Sequence, residues 1–274
     1  MIALCRDGGR VQLLENRADP QPADGEAIVR VHVASITGLD LAAGGAGSFE
    51  GVLGHSFVGH VESMRGGRRE LNGARVVPAS IIACGRCDRC ASGLTAHCRE
   101  RTIPGVLGRD GGLAERVPLP IASLVPVPNE VDDDAAAFAV PVAAAIQAAR
   151  QLTIQGKPFV TVLGDGRLGL LVGQVMSRLN ASVRVVGRHP EKLALCERWA
   201  LKQRHIDEVG RRADQDVVVD CTGTIDGLVT ALRMVRPRGT VMVKSLHAGA
   251  GAVDQLPAEA LEMLVTNEIT MVGS

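Results

Sequence analysis

Four cysteines, Cys84, Cys87, Cys90 and Cys98, are the residues whose types and spacing most clearly predict chemistry. Thiolates this close in sequence can converge on one tetrahedral ion at about 2.3 Å each. Two disulfides among them are the alternative, but spaced CxxC pairs in a chain without secretory features favour a metal. The spacing therefore predicts a closed structural zinc site with one Zn²⁺ per chain.

A second motif, GDGRLG at residues 164–169, has the spacing GxGxxG between an apolar segment and an amphipathic one. In that context Gly164 permits a tight turn, Gly166 lets the backbone approach a pyrophosphate, and Gly169 lets a helix pack on a strand. The phosphates would lie at the helix N-terminus. A plain glycine turn is the alternative. The motif predicts a dinucleotide site formed by Gly164, Asp165, Gly166, Arg167, Leu168 and Gly169.

The end of the next strand distinguishes NAD from NADP. An acidic residue there would bind the adenosine ribose, but this sequence reads GRH at residues 187–189, with Lys192 nearby. Arg188 and Lys192 suit a 2′-phosphate better than a ribose hydroxyl. We therefore expect NADP to be favoured over NAD; a merely solvated Arg188 is the alternative.

The composition limits the partners. The chain has 274 residues, of which 46% are apolar and 22% charged, and its 30 basic side chains balance 30 acidic ones. Without excess charge, neither nucleic acid nor an anionic membrane is an expected partner. The N-terminus lacks the pattern of a signal peptide, and no apolar run is long enough to span a bilayer. We expect a cytoplasmic protein with a small-molecule partner.

These motifs require elements that position them, and the pattern predicts an α/β chain of two domains, 1–132 and 133–274. Residues 1–132 read as an irregular β domain, with strands predicted at 27–35, 54–63 and 74–80 and proline-bearing edge strands at 113–120 and 124–130. From Asp132 to about Leu152 the sequence predicts a helix that Pro141 kinks or divides.

The second domain alternates short apolar strands with amphipathic helices. Strands are predicted at 159–165, 182–188, 205–209, 216–223, 239–245 and 268–274, and helices at 168–179, 190–200 and 226–235. Strands this apolar are covered on both faces, which favours a doubly wound parallel sheet.

Together, these residues resemble the medium-chain dehydrogenase/reductase family, specifically its zinc-containing alcohol dehydrogenase-like members. The resemblance runs through SITGLD, GHSFVGHVE, the cysteine loop, RDGGLAE, AAAFAVPVAAA, GDGRLG, GRHPEKLAL, DVVVDCTG and NEITMVGS. It implies a GroES-like catalytic domain, a Rossmann domain, and hydride transfer between a nicotinamide and a small alcohol or carbonyl. It also implies homodimers or homotetramers, and several dozen further residues after the last strand.

The resemblance also shows where the sequence departs from active zinc members. Those have Cys where Thr37 stands, Ser or Thr at Leu39, Glu at Ser56, and Cys, Asp or Glu at Val140, so His55 is the one retained ligand. A catalytic zinc needs about three protein ligands. We therefore expect no tightly held catalytic zinc, and His55 to be a hydrogen-bonded histidine.

Three functional hypotheses remain open. The first is an NADP-dependent oxidoreductase without catalytic zinc, in which Thr37, Asp40 and His55 supply hydrogen bonds to the substrate. The second is a catalytically silent dinucleotide-binding protein, a sensor or assembly component that retains the structural zinc. The third is a zinc alcohol dehydrogenase with rearranged ligands, which requires two zinc ions per chain.

Overall fold

The computed structural model describes residues 1–45, 49–152, 156–210, 212–245 and 256–274. The chain divides into two compact units, Met1–Val140 and Pro141–Ser274. Among the described residues, no helix is long and apolar enough to cross a membrane.

The first unit is made mainly of strands joined by irregular loops. Its strands are β1 (Ala3–Asp7), β2 (Arg10–Leu14), β3 (Glu26–Ser35), β4 (Gly51–Val52), β5 (Ser56–Met64), β6 (Arg75–Pro78), β7 (Ile103–Pro104), β8 (Gly108–Arg109), β9 (Arg116–Pro120) and β10 (Leu124–Pro126). Its α-helices are α1 (Gly38–Gly44), α2 (Asp88–Ala91) and α3 (Asp133–Ala136). Short 3-10 turns cover Arg69–Leu71, Thr95–His97 and Ile121–Ser123.

The main sheet of this unit has five antiparallel strands in the order β10-β6-β5-β3-β9, beside a smaller sheet β2-β1-β4 and the parallel pair β7-β8. The two strands predicted as edges from their prolines, β9 and β10, are its edges, which confirms the sequence prediction; the inner strand β6 has a proline only at its last residue, Pro78. Proline lacks the N–H that an inner strand must donate. Val29, Phe57 and Val117 lie in the core beneath this sheet.

The helix predicted from Asp132 to Leu152 is divided. Asp132 is the N-cap of α3 and accepts a 2.7 Å hydrogen bond from the Ala135 N–H, whereas α4 (Ala139–Gln151) starts afresh at the unit division. Pro141 lies in the first turn of α4, where a missing N–H costs no helical hydrogen bond. Ala136 packs against Val58, so α3 belongs with the first unit and the division falls after the predicted boundary at 132.

The second unit alternates strands with helices, as predicted. Its strands are β11 (Phe159–Leu163), β12 (Ser182–Gly187), β13 (Lys202–His205), β14 (Gln215–Asp220), β15 (Val235–Val243) and β16 (Thr270–Gly273). Its further helices are α5 (Arg167–Ser177), α6 (Pro190–Leu193), α7 (Leu195–Arg198), α8 (Ile225–Met234) and α9 (Ala258–Thr266), with a 3-10 turn at Ile206–Glu208.

These strands form one parallel sheet in the order β13-β12-β11-β14-β15-β16. Val217 and Val219 face one core and Val218 faces the other, so both faces of the sheet are covered. The strand order reverses between β11 and β14. A crevice at the carboxyl ends of strands on either side of such a reversal is where open α/β sheets bind ligands.

Three details of the second unit differ from the prediction. The helix expected at 190–200 is the pair α6 and α7, because hydrogen bonding tightens at Ala194, whose carbonyl accepts from the Glu197 N–H. The third strand is Lys202–His205 and not 205–209, since an exposed polar edge strand carries no apolar pattern. Helix α9 was not predicted.

Candidate functional site

The four cysteine sulfurs converge on one point in the first unit. All four Sγ atoms lie within 4.8 Å of one another. The Sγ–Sγ distances are 3.5 Å for Cys87–Cys90, 3.8 Å for Cys87–Cys98 and 3.5 Å for Cys84–Cys98. Four sulfurs at 2.3 Å from a tetrahedral ion would be about 3.8 Å apart. The cluster therefore fits a metal ion and is too open for disulfides, and all its thiols are free.

Backbone hydrogen bonds and burial shift the pKa values of these thiols. Backbone N–H groups of Arg99 and Cys90 lower the pKa of Cys87 to about 6, and N–H groups of Arg86 and Cys87 lower the pKa of Cys84. Burial raises the pKa of Cys90 to about 12. Turns with positive φ at Gly85 (74°) and Gly93 (81°) fold the loop so that its backbone donors face the sulfurs.

Asp40 is the centre of a second cluster, which joins α1 to the loop before β5. Its Oδ2 accepts from the Thr37 N–H (2.7 Å) and hydroxyl (2.8 Å), and its Oδ1 accepts from the His55 N–H and ring Nδ1 (3.0 Å each). Asp40 is 3% exposed and His55 is 6% exposed. Burial acts to raise the pKa of Asp40, but the donors of His55 and Thr37 outweigh it and hold that pKa below its usual value.

This network brings together the three predicted catalytic residues. Thr37 is the N-cap of α1, its hydroxyl accepts from the Leu39 N–H, and it lies 3.5 Å from Nδ1 of His55. Asp40 holds Nδ1 of His55. The other ring nitrogen, Nε2, has no hydrogen-bond partner among the described residues. An imidazole fixed by a carboxylate at one nitrogen can exchange a proton at the other.

Two further positions at which the resemblance implies metal ligands have other roles. The Ser56 hydroxyl donates to the Ala137 carbonyl at 2.7 Å, and Val140 is buried. Val140 has no metal-binding atom, and the neutral Ser56 hydroxyl, held by the Ala137 carbonyl, is a much weaker ligand than a carboxylate or thiolate. In the part of the chain that the structure describes, the one cluster of at least three metal-ligating groups is the cysteine cluster.

The glycine motif has the geometry of a dinucleotide loop. It links β11 to α5 at the carboxyl edge of the sheet, with Gly164 at φ 117°. A Cβ on Gly169 would lie 2.0 Å from the Gly164 carbonyl oxygen, whereas a Cβ on Gly166 would meet nothing within 4 Å. Gly166 is the N-cap of α5, and no side chain caps this helix. The open space and uncapped N–H groups fit a bound phosphate.

Asp165 turns away from this open space. Its Oδ2 accepts from the N–H groups of Arg188 and His189 (2.7 Å each), and its Oδ1 is 3.0 Å from the His189 Nδ1. A Cβ at Gly187 would lie 2.3 Å from Asp165 Oδ2, so the carboxylate requires glycine there. Burial acts to raise the pKa of Asp165, but the His189 and Arg188 donors outweigh it and lower that pKa.

The predicted cations lie around this loop. Arg188 and Arg167 are exposed and Lys192 is half-buried in α6, and none of the three side chains forms an ion pair with the described residues. Arg188 and Lys192 belong to the end of β12 and the helix after it, whereas Arg167 opens α5. Positive side chains with no acidic partner are therefore left on both sides of the motif.

Sequence reasoning missed two groups at the same edge of the sheet. Asp220 ends β14 fully buried; its Oδ1 accepts from Thr222, and its Oδ2 has no partner among the described residues. Lys244 follows β15, donates from Nζ to Ser274 at 3.0 Å, and has a pKa lowered by burial. A polar residue directly after an apolar parallel strand was the available signal, because such residues line the ligand-binding edge.

Comparisons with known proteins agree with this architecture. Residues 23–129 match the alcohol dehydrogenase GroES-like domain. L-galactonate-5-dehydrogenase of Escherichia coli K12 is 28% identical over 250 residues, which are 86% of this chain and 73% of that protein. Sorbitol dehydrogenase of Halalkalibacterium halodurans is 26% identical over 284 residues, covering 95% and 79%.

A solved structure is also similar along the whole chain. It is assigned as a zinc-binding dehydrogenase of Sinorhizobium meliloti 1021 bound to NADP, and it is 25% identical with a TM-score of 0.86. The match covers 100% of this chain and 83% of that one. Residues 23–129 therefore form an alcohol dehydrogenase GroES-like domain, and the whole chain is similar in sequence and in fold to alcohol and polyol dehydrogenases.

Proposed function

We propose that this protein is an NADP-dependent oxidoreductase that transfers hydride between the nicotinamide and a small alcohol or carbonyl without a catalytic zinc. The observation that carries the proposal is the open, uncapped N-terminus of α5 at Gly166, placed beside the reversal of strand order. Relatives named as galactonate and sorbitol dehydrogenases support a hydroxylated substrate.

Residues of this chain would transfer the proton that accompanies hydride transfer. When bound, a nicotinamide dinucleotide supplies or accepts the hydride. Asp40 holds Nδ1 of His55 and fixes the orientation of the ring, so Nε2 can give a proton to a substrate oxygen or take one from it. Leu39 stands where a hydroxyl would relay the proton, so the imidazole is the group assigned this role.

The four cysteines would hold one structural zinc per chain. The sulfur spacing supports this assignment, because it is close to that of a tetrahedral four-thiolate site. When bound there, the ion crosslinks the loop from Cys84 to Cys98 and leaves no open position for a substrate.

The preference for NADP rests on charge at the end of β12. Arg188 and Lys192 form no ion pair in the described part of the chain, and the Asp165 carboxylate accepts from the backbone N–H groups of Arg188 and His189. A 2′-phosphate would pair with these cations. Arg188→Gln should weaken NADPH binding by roughly tenfold and leave NADH binding nearly unchanged; equal losses for both would contradict the preference.

The decisive experiment measures NADPH oxidation by the purified chain across a panel of aldehydes, ketones, keto acids and ketoses, with zinc content determined on the same preparation. We expect turnover with one zinc per chain, and His55→Gln should abolish turnover but keep NADPH affinity. Loss of NADPH binding in that variant, or turnover that survives it, would contradict the role of His55.

A second candidate is a catalytically silent dinucleotide-binding protein. It is favoured by the Thr37 hydroxyl, which is committed to capping α1 and to Asp40. NADPH binding without turnover on any member of the panel would support it, whereas turnover lost in His55→Gln would exclude it. Two tightly held zinc ions per chain would instead point to rearranged catalytic ligands.

We also propose a cytoplasmic location and a homodimer or homotetramer. Free thiols are typical of a reducing compartment. The outer edge of β16 pairs with no strand in the described residues, and such an edge can pair with a second subunit.

A further inference from the structure

Two histidines in the first unit face each other on strands of the main sheet that contain neither motif. His32 lies on β3 at a register shift, because Val31 pairs with Gly59 while Val33 pairs with Val58. An extra residue in a strand re-aims its side chain. The bulge brings the His32 ring to 4.5 Å, centroid to centroid, from the ring of His60 on β5.

The ring nitrogens have the spacing of a chelate. Nε2 of His32 is 3.2 Å from Nδ1 of His60. Imidazole nitrogens bind transition metals at about 2.0–2.1 Å, so one ion could contact both at a ligand–metal–ligand angle of roughly 100°. That angle lies between the octahedral and tetrahedral values. Both rings are partly exposed, so water can fill the remaining positions.

The Asp133 carboxylate contacts the His32 ring at Nδ1, the nitrogen that does not face His60. Oδ2 of Asp133 is 3.4 Å from Nδ1 of His32, and Arg75 fixes Asp133 by donating to its Oδ1 at 3.0 Å. Arg75 in turn donates to the carbonyl oxygens of Pro128 and Val131. A carboxylate that accepts from the far nitrogen of a metal-binding histidine sets its tautomer and raises its basicity. With its proton on Nδ1, His32 presents the Nε2 lone pair to His60, and a metal ion would replace the hydrogen atom that the two rings now share.

Charges around the pair limit the expected affinity. Arg30 and Arg75 are register partners of His60, and Arg116 is the partner of Arg30. Asp133 neutralises Arg75 and Glu62 neutralises Arg116, which leaves Arg30 without an ion pair in the described residues. One uncompensated positive charge weakens cation binding but does not outweigh two imidazole ligands.

From this geometry we propose that His32 and His60 form a second metal site, separate from the cysteine cluster, for a divalent ion that prefers imidazole, such as Zn²⁺, Ni²⁺ or Cu²⁺. Asp133 is its positioning residue. With two protein ligands the site is open and exchanges its ion readily, unlike a closed four-thiolate site. It rests on neither the cofactor loop nor the proposed oxidoreductase activity.

Calorimetric titration of the zinc-loaded full chain with Ni²⁺ tests the proposal. We expect one Ni²⁺ per chain with a dissociation constant on the order of micromolar. His32→Gln and His60→Gln should each weaken binding by roughly tenfold or more, and Asp133→Asn by roughly tenfold. The double His32→Gln/His60→Gln variant should bind little more weakly than either single variant, because one substitution already destroys the chelate.

His205→Gln is the matched control, since His205 has no neighbouring imidazole among the described residues, and it should retain wild-type affinity. Thermal unfolding of each apo variant checks that the fold is intact. Absence of Ni²⁺ binding beyond the zinc already present would overturn the proposal and leave the pair as a hydrogen bond only. Binding unchanged in both single histidine variants would overturn it equally.

Discussion

Asp40 connects residues that lie in different parts of the first unit, and the candidate acid–base chemistry depends on it. Its two oxygens accept four hydrogen bonds, two from Thr37 and two from His55. The carboxylate thus caps α1, fixes the backbone before β5 and orients the imidazole. Asp40 and His55 thus form a hydrogen-bonded pair within the first unit.

Asp40→Asn should destabilise the fold by about 1–3 kcal/mol at neutral pH, because an amide cannot accept from all four donors. Equilibrium unfolding in urea measures the difference. Asp24→Asn is the control, since the Asp24 side chain is 91% exposed, and it should change stability little. A loss no larger than that of the control would show that the network contributes nothing to stability.

The stability difference between wild type and Asp40→Asn should also depend on pH. The folded pKa of Asp40 is lowered, so its contribution is fully present above the unfolded pKa of about 4 and is lost as the pH falls through the folded value. The stability difference between wild type and Asp40→Asn should therefore be largest near neutral pH and shrink below about pH 4. A difference that grows on acidification would contradict the assigned charge state.

Cys84→Ser should remove most of the tightly bound zinc and lower the melting temperature, because three thiolates hold the ion less firmly than four. Turnover per folded molecule should persist, since a closed site has no position for a substrate. Zinc analysis after washing with a weak chelator, which strips the proposed histidine site, measures this. Cys196→Ala, a buried cysteine outside the cluster, should keep its zinc; unchanged zinc in Cys84→Ser would disprove the assignment.

At the scale of elements, the turn from β11 into α5 and the end of β12 form one assembly. In the turn from β11 into α5, Asp165 accepts hydrogen bonds from the backbone N–H groups of Arg188 and His189, which follow β12. Gly187, the last residue of β12, leaves room for the Asp165 carboxylate. The Gly164 N–H also donates to the Val186 carbonyl at 2.8 Å. The glycine loop and the cationic end of β12 are therefore held together by hydrogen bonds.

Substitutions at two glycines of the loop, Gly169 and Gly166, should separate an effect on stability from an effect on cofactor binding. Gly169→Ala puts a Cβ 2.0 Å from the Gly164 carbonyl oxygen, so it should cost about 1–3 kcal/mol of stability. Gly166→Ala meets nothing within 4 Å and should leave stability nearly unchanged while it weakens NADPH binding by roughly tenfold. Urea unfolding and fluorescence titration with NADPH measure the two effects. If Gly166→Ala bound NADPH normally, the pyrophosphate would have to lie elsewhere.

At the scale of the whole molecule, each unit has its own core and its own sheet. The first unit's sheet ends in strands bearing prolines, which discourage further pairing. The second unit's sheet ends at β16, whose Met271 is 45% exposed and whose strand contains no proline. The two units therefore differ in their capacity to extend a sheet into another subunit.

Light scattering at micromolar concentration should give at least twice the mass of one chain. Met271→Lys should shift the population toward monomer, because a charge on an edge strand opposes pairing. Leu94→Lys, at an apolar position of the first unit that is also about half exposed (53%), should not. A wild-type monomer would contradict the proposed assembly.

The sequence by itself determined the cysteine cluster, the glycine turn between β11 and α5, and the alternation of strands and helices. Each depends on residues close together in the chain, where spacing and backbone preference specify the geometry: CxxC brings sulfurs together, and GxGxxG after an apolar strand makes a tight turn. The proline-bearing strands were identifiable as edges for the same local reason.

Only the tertiary structure decided which distant groups meet. Asp40 reaches His55, Asp165 reaches the backbone of Arg188 and His189, and His32 reaches His60, each through strand pairing or a turn that no local pattern encodes. The physical reason is that register, bulges and the burial of charged oxygens are set by packing over the whole sheet. Residue types and spacing predicted which chemistry is possible, whereas the long-range contacts of the folded chain determine which residues are partners.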